Sequence, residues 1–373
     1  LRDWGVDEVH TQIGKTGVVG IINGNQGDGR SIGLRADMDA LPIDEQTNLP
    51  WRSQTPGVMH ACGHDGHTAI LLGAAQYLSE NRDFPGRIVL IFQPAEEGLG
   101  GARAMLADGL FERFPCNEVY GLHNSPYTSE NVVGIKPGVA MAGADFFDIE
   151  VHGVGSHAAS PQHARDPIMA ATAMVQAFQT IRSRNAPPNE AAVLSVTQFH
   201  AGSAYNVVPN DVSLSGTLRF FTEESRQRMR SRMQAIAAGI AAAFEIEIGV
   251  AFKDIFTVLE NNDALAEEVA KIAQEVTGAE NVLIQQDAVT GSEDFADMLT
   301  AVPGAYFTVG HKGEVPLHLR GRGRLRLRPH LPLLDLPPRH GRGVQALRGD
   351  RERADPPRQR PGRRHDLRRR ARP

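Results

Sequence analysis

The succession of periodicities along the chain constrains its fold most. Residues 87–92 read Arg-Ile-Val-Leu-Ile-Phe, an almost wholly apolar run bounded by Gly86 and by Gln93-Pro94. A run this short, rich in β-branched and aromatic residues, predicts a strand inside a sheet covered on both faces. Shorter β-rich runs stand at 18–22, 32–36 and 119–122. Between them, residues 68–78 place Ile70, Leu71, Ala74 and Leu78 along one side of a helix. Strand alternating with helix is the pattern of an α/β layer structure. The middle of the chain breaks that pattern. Residues 146–152 alternate as a strand. Residues 167–183 repeat Ile168, Ala171, Met174, Val175, Phe178 and Ile181 at helical spacing. Strands at 193–199 and 212–221, a long helix at 223–244 and an alternating strand at 245–252 follow. The order β-α-β-β-α-β is a split βαβ unit, self-sufficient at about a hundred residues. The α/β pattern then resumes with a helix at 263–276 ended by Gly278, and a strand at 305–309. Ser292 is expected to be an N-cap, with Glu293 and Asp294 in an acidic first turn.

The expected fold class is therefore α/β, a domain with a mixed central sheet interrupted by an inserted α+β, ferredoxin-like domain. Its segments are expected at 1–142, 143–255 and 256–318. The remainder, 319–373, is of another kind. It holds 18 Arg, no Lys and 5 acidic residues, whereas residues 1–318 hold 21 basic and 39 acidic ones. Arg, Pro, Leu and Gly dominate it, with no aromatic residue and no lasting periodicity. It is expected to be out-of-frame coding sequence or a disordered arm. The acidic body argues against a nucleic-acid partner. No apolar run nears the roughly 18 residues of a membrane span. Two cysteines, Cys62 and Cys116, do not make a disulfide framework, so a cytoplasmic setting is expected. The start at Leu1 is read as an N-terminal truncation.

Potential metal ligands gather at the carboxyl ends of the expected strands, where open α/β sheets place their sites. Asp37 and Asp39, at i and i+2, point to one side. His60, Cys62, His64, Asp65 and His67 crowd into eight residues with two glycines. A thiolate with imidazoles suits a borderline-soft divalent ion. No second pair of Cys or His closes a structural zinc site. Glu96 and Glu97 directly follow the apolar strand, so that one carboxylate can ligate while the other stays free as a base. His123 ends another strand, and His318 stands in Pro316-Leu317-His318.

Taken in order, RADMDALP, MHACGHDGHTA, FQPAEEG, GLH, GSHAASP, AYNVVPN, GTLRFF, GSEDFA and PLH resemble the two-metal aminoacylase and carboxypeptidase family, in the branch of hippurate hydrolases and auxin-conjugate hydrolases. The resemblance implies hydrolysis of the amide bond of N-acyl amino acids by a water activated between two divalent cations. Manganese and zinc lead as the metals, with cobalt and nickel behind them. It implies that Cys62 bridges the two ions, that His64, Glu97, His123 and His318 complete their coordination, and that Glu96 is the general base. It further implies that Asp37 or Asp39 supports the ligands, that His157 stabilises the oxyanion from a partner subunit, and that Asn206 and Arg219 hold the substrate carboxylate or the tetrahedral intermediate. The inserted domain would be a lid and the contact of a homodimer. Three departures stand out. About fifty residues that usually precede this start are absent, Leu319 replaces the usual Asn after PLH, and Gln162 follows Pro161 where His is frequent. A dipeptidase or carboxypeptidase of the same family, or an inactive truncated product, are the alternatives.

Overall fold

A computed structural model describes residues 1–311 except Leu99 and Gln286; His318 and the segment 319–373 lie outside the described residues. Strands β1 (Glu8–Ile13), β2 (Gly17–Asn23) and β3 (Ser31–Asp37) lead to helix α1 (His64–Glu80) and strand β4 (Arg87–Gln93). Helices α2 (Gly101–Ala107) and α3 (Leu110–Arg113) precede strands β5 (Glu118–Ser125), β6 (Val133–Ile135) and β7 (Gly138–Met141). The middle segment runs β8 (Gly143–His152), β9 (Ser156–His157), α4 (Pro167–Thr180), β10 (Val193–Ala201), β11 (Val207–Val208), β12 (Asp211–Phe220), α5 (Glu223–Phe244) and β13 (Glu247–Phe256). After it come β14 (Leu259–Asn261), α6 (Asp263–Thr277), β15 (Val282–Ile284), α7 (Phe295–Ala301) and β16 (Gly304–Gly310).

Among the described residues, eight strands form one mixed sheet in the order β1-β2-β4-β3-β5-β16-β6-β15. Its centre, β4-β3-β5-β16, is parallel. The apolar run in β4 explains the layering. Ile88, Leu90 and Phe92 face Leu71 and Ala75 of α1, whereas Val89 and Ile91 pack with Ala102, Met105 and Phe295 of α2 and α7. A strand with helices on both sides needs apolar residues at every position, which is why this one does not alternate.

A second, antiparallel sheet has the order β10-β12-β8-β13. β12 alternates between buried and less buried positions along its whole length. Its inner residues Val212, Leu214, Leu218 and Phe220 join Phe147, Ile149 and Val151 of β8 against Met174 and Phe178 of α4 and Met229 and Met233 of α5. Capping follows the sequence. Asp166 accepts the N–H groups of Ile168 and Met169 ahead of Pro167, Thr222 accepts that of Ser225, and Asn262 that of Leu265.

Three expectations shift. The helix expected to reach 183 ends at Thr180 and continues as a π-helical turn, Ile181–Asn185. The strand expected from 245 starts at Glu247, because Glu245 adopts φ 54° to close α5. The helix expected from Ser292 starts at Phe295, with Asp294 and not Ser292 in the N-cap position; the Asp294 side chain makes no cap bond, and Glu293 Oε1 accepts the Phe295 N–H at 3.1 Å.

Candidate metal centre

The four central strands end on one edge of the sheet, and each delivers polar residues there. Asp37 closes β3, the Glu96–Glu97 turn follows β4, His123 and Asn124 lie near the end of β5, and His311 follows β16. The long connection after β3 returns to this edge through Cys62 and Gly63 and enters α1 at His64. Gly63 has φ +95°, and a Cβ there would stand 2.5 Å from the Asn124 amide. Only glycine permits both the left-handed turn and this approach. Of the dense cluster at 60–67, Cys62, His64 and His67 turn inward, and His60 and Asp65 are exposed.

The ring nitrogens of the histidines identify the free lone pairs. His64 directs Nδ1 at Asp39 Oδ1, 3.2 Å away, and its buried Nε2 has no hydrogen-bond partner. His123 donates from Nδ1 to the Asn124 carbonyl at 2.7 Å, which leaves Nε2 facing Cys62 Sγ at 3.4 Å. Asp39 also accepts the Glu97 N–H at 3.0 Å, so one carboxylate steadies both His64 and the turn after β4. Ligand atoms of Cys62, His64 and His123 lie within 4.8 Å of one another, as do those of His64, Glu96 and Glu97. Sulfur, imidazole and carboxylate donors converging on a buried orphan nitrogen fit a cation.

Charge leads to the same place. Asp37, Asp39, Glu96, Glu97, Glu293 and Asp294 crowd together, and among the described residues Arg35 is the one guanidinium hydrogen-bonded to any of them. Arg35 is fully buried and donates to Asp37, Glu293, Asp294 and the Gln93 side-chain Oε1 at 2.8–3.2 Å. Burial raises the Asp37 carboxyl, but Arg35 and the His67 hydrogen bond outweigh it and hold it well below the usual range. Glu96 has no such partner. Burial, then Glu293 and Asp294, push it up to about 10 against the pull of Arg35. Burial beside Glu97 and Glu96 likewise pushes the Cys62 thiol up. Without cations, the site therefore holds protons that positive ions would displace.

Both glutamates bring ligand atoms within 4.8 Å of His64 and of each other; Glu97 Oε1 stands 4.0 Å from His64 Nε2, and Glu96 also reaches Glu293 and Asp294. Their backbone is a turn, with Ala95 at φ 56°. Arg219, on β12, is half-buried and donates to Ser292 Oγ at 2.6 Å, next to this cluster. His157 and Asn206 sit on the exposed β9–β11 ribbon, where the Ala158 N–H donates to the Asn206 carbonyl at 3.0 Å; neither belongs to these donor groups. His318 lies outside the described residues. Sequence reasoning gave no role to Arg35 or Asn124, and to Glu293 and Asp294 only that of an acidic first helical turn. An arginine inside a buried strand was the available signal, because it must recruit carboxylates from elsewhere.

A mixed α/β sheet, parallel at its centre, with this donor set at the carboxyl edge of that centre, has the makings of a hydrolase site able to hold metal. The chain belongs to Peptidase family M20/M25/M40, which it matches over residues 33–319. It is 43% identical over 318 residues to the hippurate hydrolase of Campylobacter jejuni, covering 85% of this chain and 82% of that protein. It is 42% identical over 319 residues to an N-acetyl-L-cysteine deacetylase of Bacillus subtilis, covering 85% of this chain and 75% of the relative. A solved structure of the Bacillus subtilis YXEP protein, a dinuclear metal binding peptidase of the M20 family, superposes with a TM-score of 0.71 at 33% identity, covering 85% of this chain and 83% of that one. Among the described residues no helix is long and apolar enough to cross a membrane.

Proposed function

We propose that this enzyme hydrolyses the amide bond of N-acyl amino acids, of the hippurate type, with two divalent cations held by Cys62, His64, Glu97, His123 and His318. The observation that carries the reading is the gathering of the Cys62, His64 and His123 donors beside the Glu96–Glu97 pair. Glu97 Oε1 stands 4.0 Å from His64 Nε2, and Glu96, in the same group, is buried, also reaches Glu293 and Asp294, and has no guanidinium or ammonium hydrogen-bonded to it among the described residues. When bound, such cations supply Lewis-acid charge at the acyl oxygen and lower the pKa of water from 15.7 toward about 7. Glu96 takes the proton from the attacking water and delivers it to the leaving nitrogen. Arg219, without a carboxylate partner among the described residues, holds the substrate carboxylate together with Asn206. His157 stabilises the oxyanion from the partner subunit of a homodimer. That dimer forms through residues 143–255, which also act as the lid. Manganese or zinc occupies the centre, and two free cysteines fit a cytoplasmic setting.

The test is a substrate panel. Purified enzyme loaded with Mn²⁺ or Zn²⁺ is assayed on N-benzoyl, N-acetyl and indoleacetyl amino acids and on unblocked dipeptides. Turnover of the acylated compounds at least about tenfold above the dipeptides, a difference of roughly 1.4 kcal/mol in the barrier, supports the reading. Preference for free dipeptides refutes it.

A further inference from the structure

Helix α1 carries two histidines in its first turn, three residues apart, so both rings leave one face. Ligand atoms of Asp37, His64 and His67 lie within 4.8 Å of one another, and proximity alone does not say which rings take metal. Their hydrogen bonds do. His64 keeps a buried Nε2 without a partner. His67 has both nitrogens engaged. Nδ1 is 2.6 Å from Asp37 Oδ1, and Nε2 accepts the Asn124 N–H at 2.9 Å. A backbone N–H that donates into Nε2 fixes the ring proton on Nδ1, where Asp37 accepts it. The Asn124 side chain stands with Oδ1 2.7 Å from the same Nε2 and Nδ2 toward His311; amide oxygen and nitrogen are told apart only by their partners, and the main-chain donation into Nε2 selects the flipped amide, with NH₂ toward His67.

We propose that His67 is a positioning residue for the His123 imidazole and not itself a metal ligand. The connection runs through named contacts. Arg35 anchors Asp37 Oδ2 at 2.9 Å, Asp37 orients His67, and His67 grips Asn124 by its main chain. The Asn124 carbonyl in turn takes the His123 Nδ1–H at 2.7 Å. His67 also packs directly on His123, with ring centroids 4.5 Å apart. The buried guanidinium thereby sets the aim of the His123 lone pair through rigid links. Asn124 extends the chain to His311, 2.9 Å away.

This inference rests on the metal-centre reading, and two near-isosteric variants test it. His67→Gln places an amide oxygen where Nε2 was and keeps an acceptor for Asn124. His67→Asn places a donor where Nδ1 was and keeps only the bond to Asp37. Metal-free protein is titrated with Co²⁺ against a chromophoric chelator, with ion counts by elemental analysis and the visible Co²⁺ spectrum recorded. At saturation both variants should bind as many ions as wild type. His67→Asn should bind one ion about 10–100-fold more weakly with a shifted spectrum, as expected when a ligand loses its support, and His67→Gln should stay within about threefold of wild type. Loss of one ion at saturation in both variants makes His67 a ligand and overturns the proposal, as does wild-type affinity in both. Should His67→Asn not fold, His67→Gln alone decides: wild-type count and near-wild-type affinity support the proposal, and a missing ion overturns it. Failure of the metal-centre reading looks different, because wild type itself then binds no Co²⁺.

Discussion

Replacing Arg35 by Met tests the electrostatic core of the site. Met fills much of the same volume, so the cavity contribution is small. What is lost is a guanidinium with no side-chain exposure that bonds Gln93, Asp37, Glu293 and Asp294. Removing one partner from a buried ion cluster typically costs about 3–5 kcal/mol. The expected loss is therefore about 3–5 kcal/mol in urea unfolding of metal-free protein. Arg35→Lys should recover part of it, because one ammonium cannot span three carboxylates. The pH dependence follows from Asp37, whose carboxyl is held low in the folded state. Its contribution is complete above the unfolded pKa of about 3.9 and fades as pH falls toward the folded value. The gap between wild type and Arg35→Met should thus narrow below about pH 4. A loss under about 1 kcal/mol at pH 7, or a gap that widens in acid, refutes the reasoning.

Gly63→Ala should weaken metal binding and lower stability by about 1–3 kcal/mol, because it adds backbone strain at φ +95° and a clash with the Asn124 amide; thermal melting and metal titration report both. Metal binding should release protons, since burial and neighbouring carboxylates hold Cys62 and Glu96 protonated in the metal-free site. Calorimetric titration in two buffers of different ionisation enthalpy counts them, and a release near zero contradicts this charge assignment.

The scaffold was legible where periodicity was long. β4 and the helices α1, α5 and α6 announce themselves through apolar spacing, and Gly278 marks the end of α6 as expected. β6, β7, β14 and β15 are too short to carry a period, so only their pairing in space defines them. Motif density pointed to the cluster at 60–67 but not to the division of labour within it. His64 and His67 look equivalent in sequence, and the difference comes from Asp39 and Asn124, brought in by β3 and β5. Glu293 and Asp294 lie more than 250 residues from Arg35. Their spacing suggested a helix start, and α7 does begin directly after them at Phe295; their pairing with Arg35 is a long-range contact that no local pattern records.

The central claim is that one set of side chains holds cations while Glu96, beside them, works on protons. Elemental analysis of wild type, Cys62→Ala and Glu96→Gln, paired with hippurate turnover, tests it most directly. The account predicts two divalent ions per chain in wild type and in Glu96→Gln, a turnover loss of at least about 100-fold in Glu96→Gln, and loss of bound metal in Cys62→Ala. Equal metal loss in both variants, or full turnover by Glu96→Gln, would contradict it.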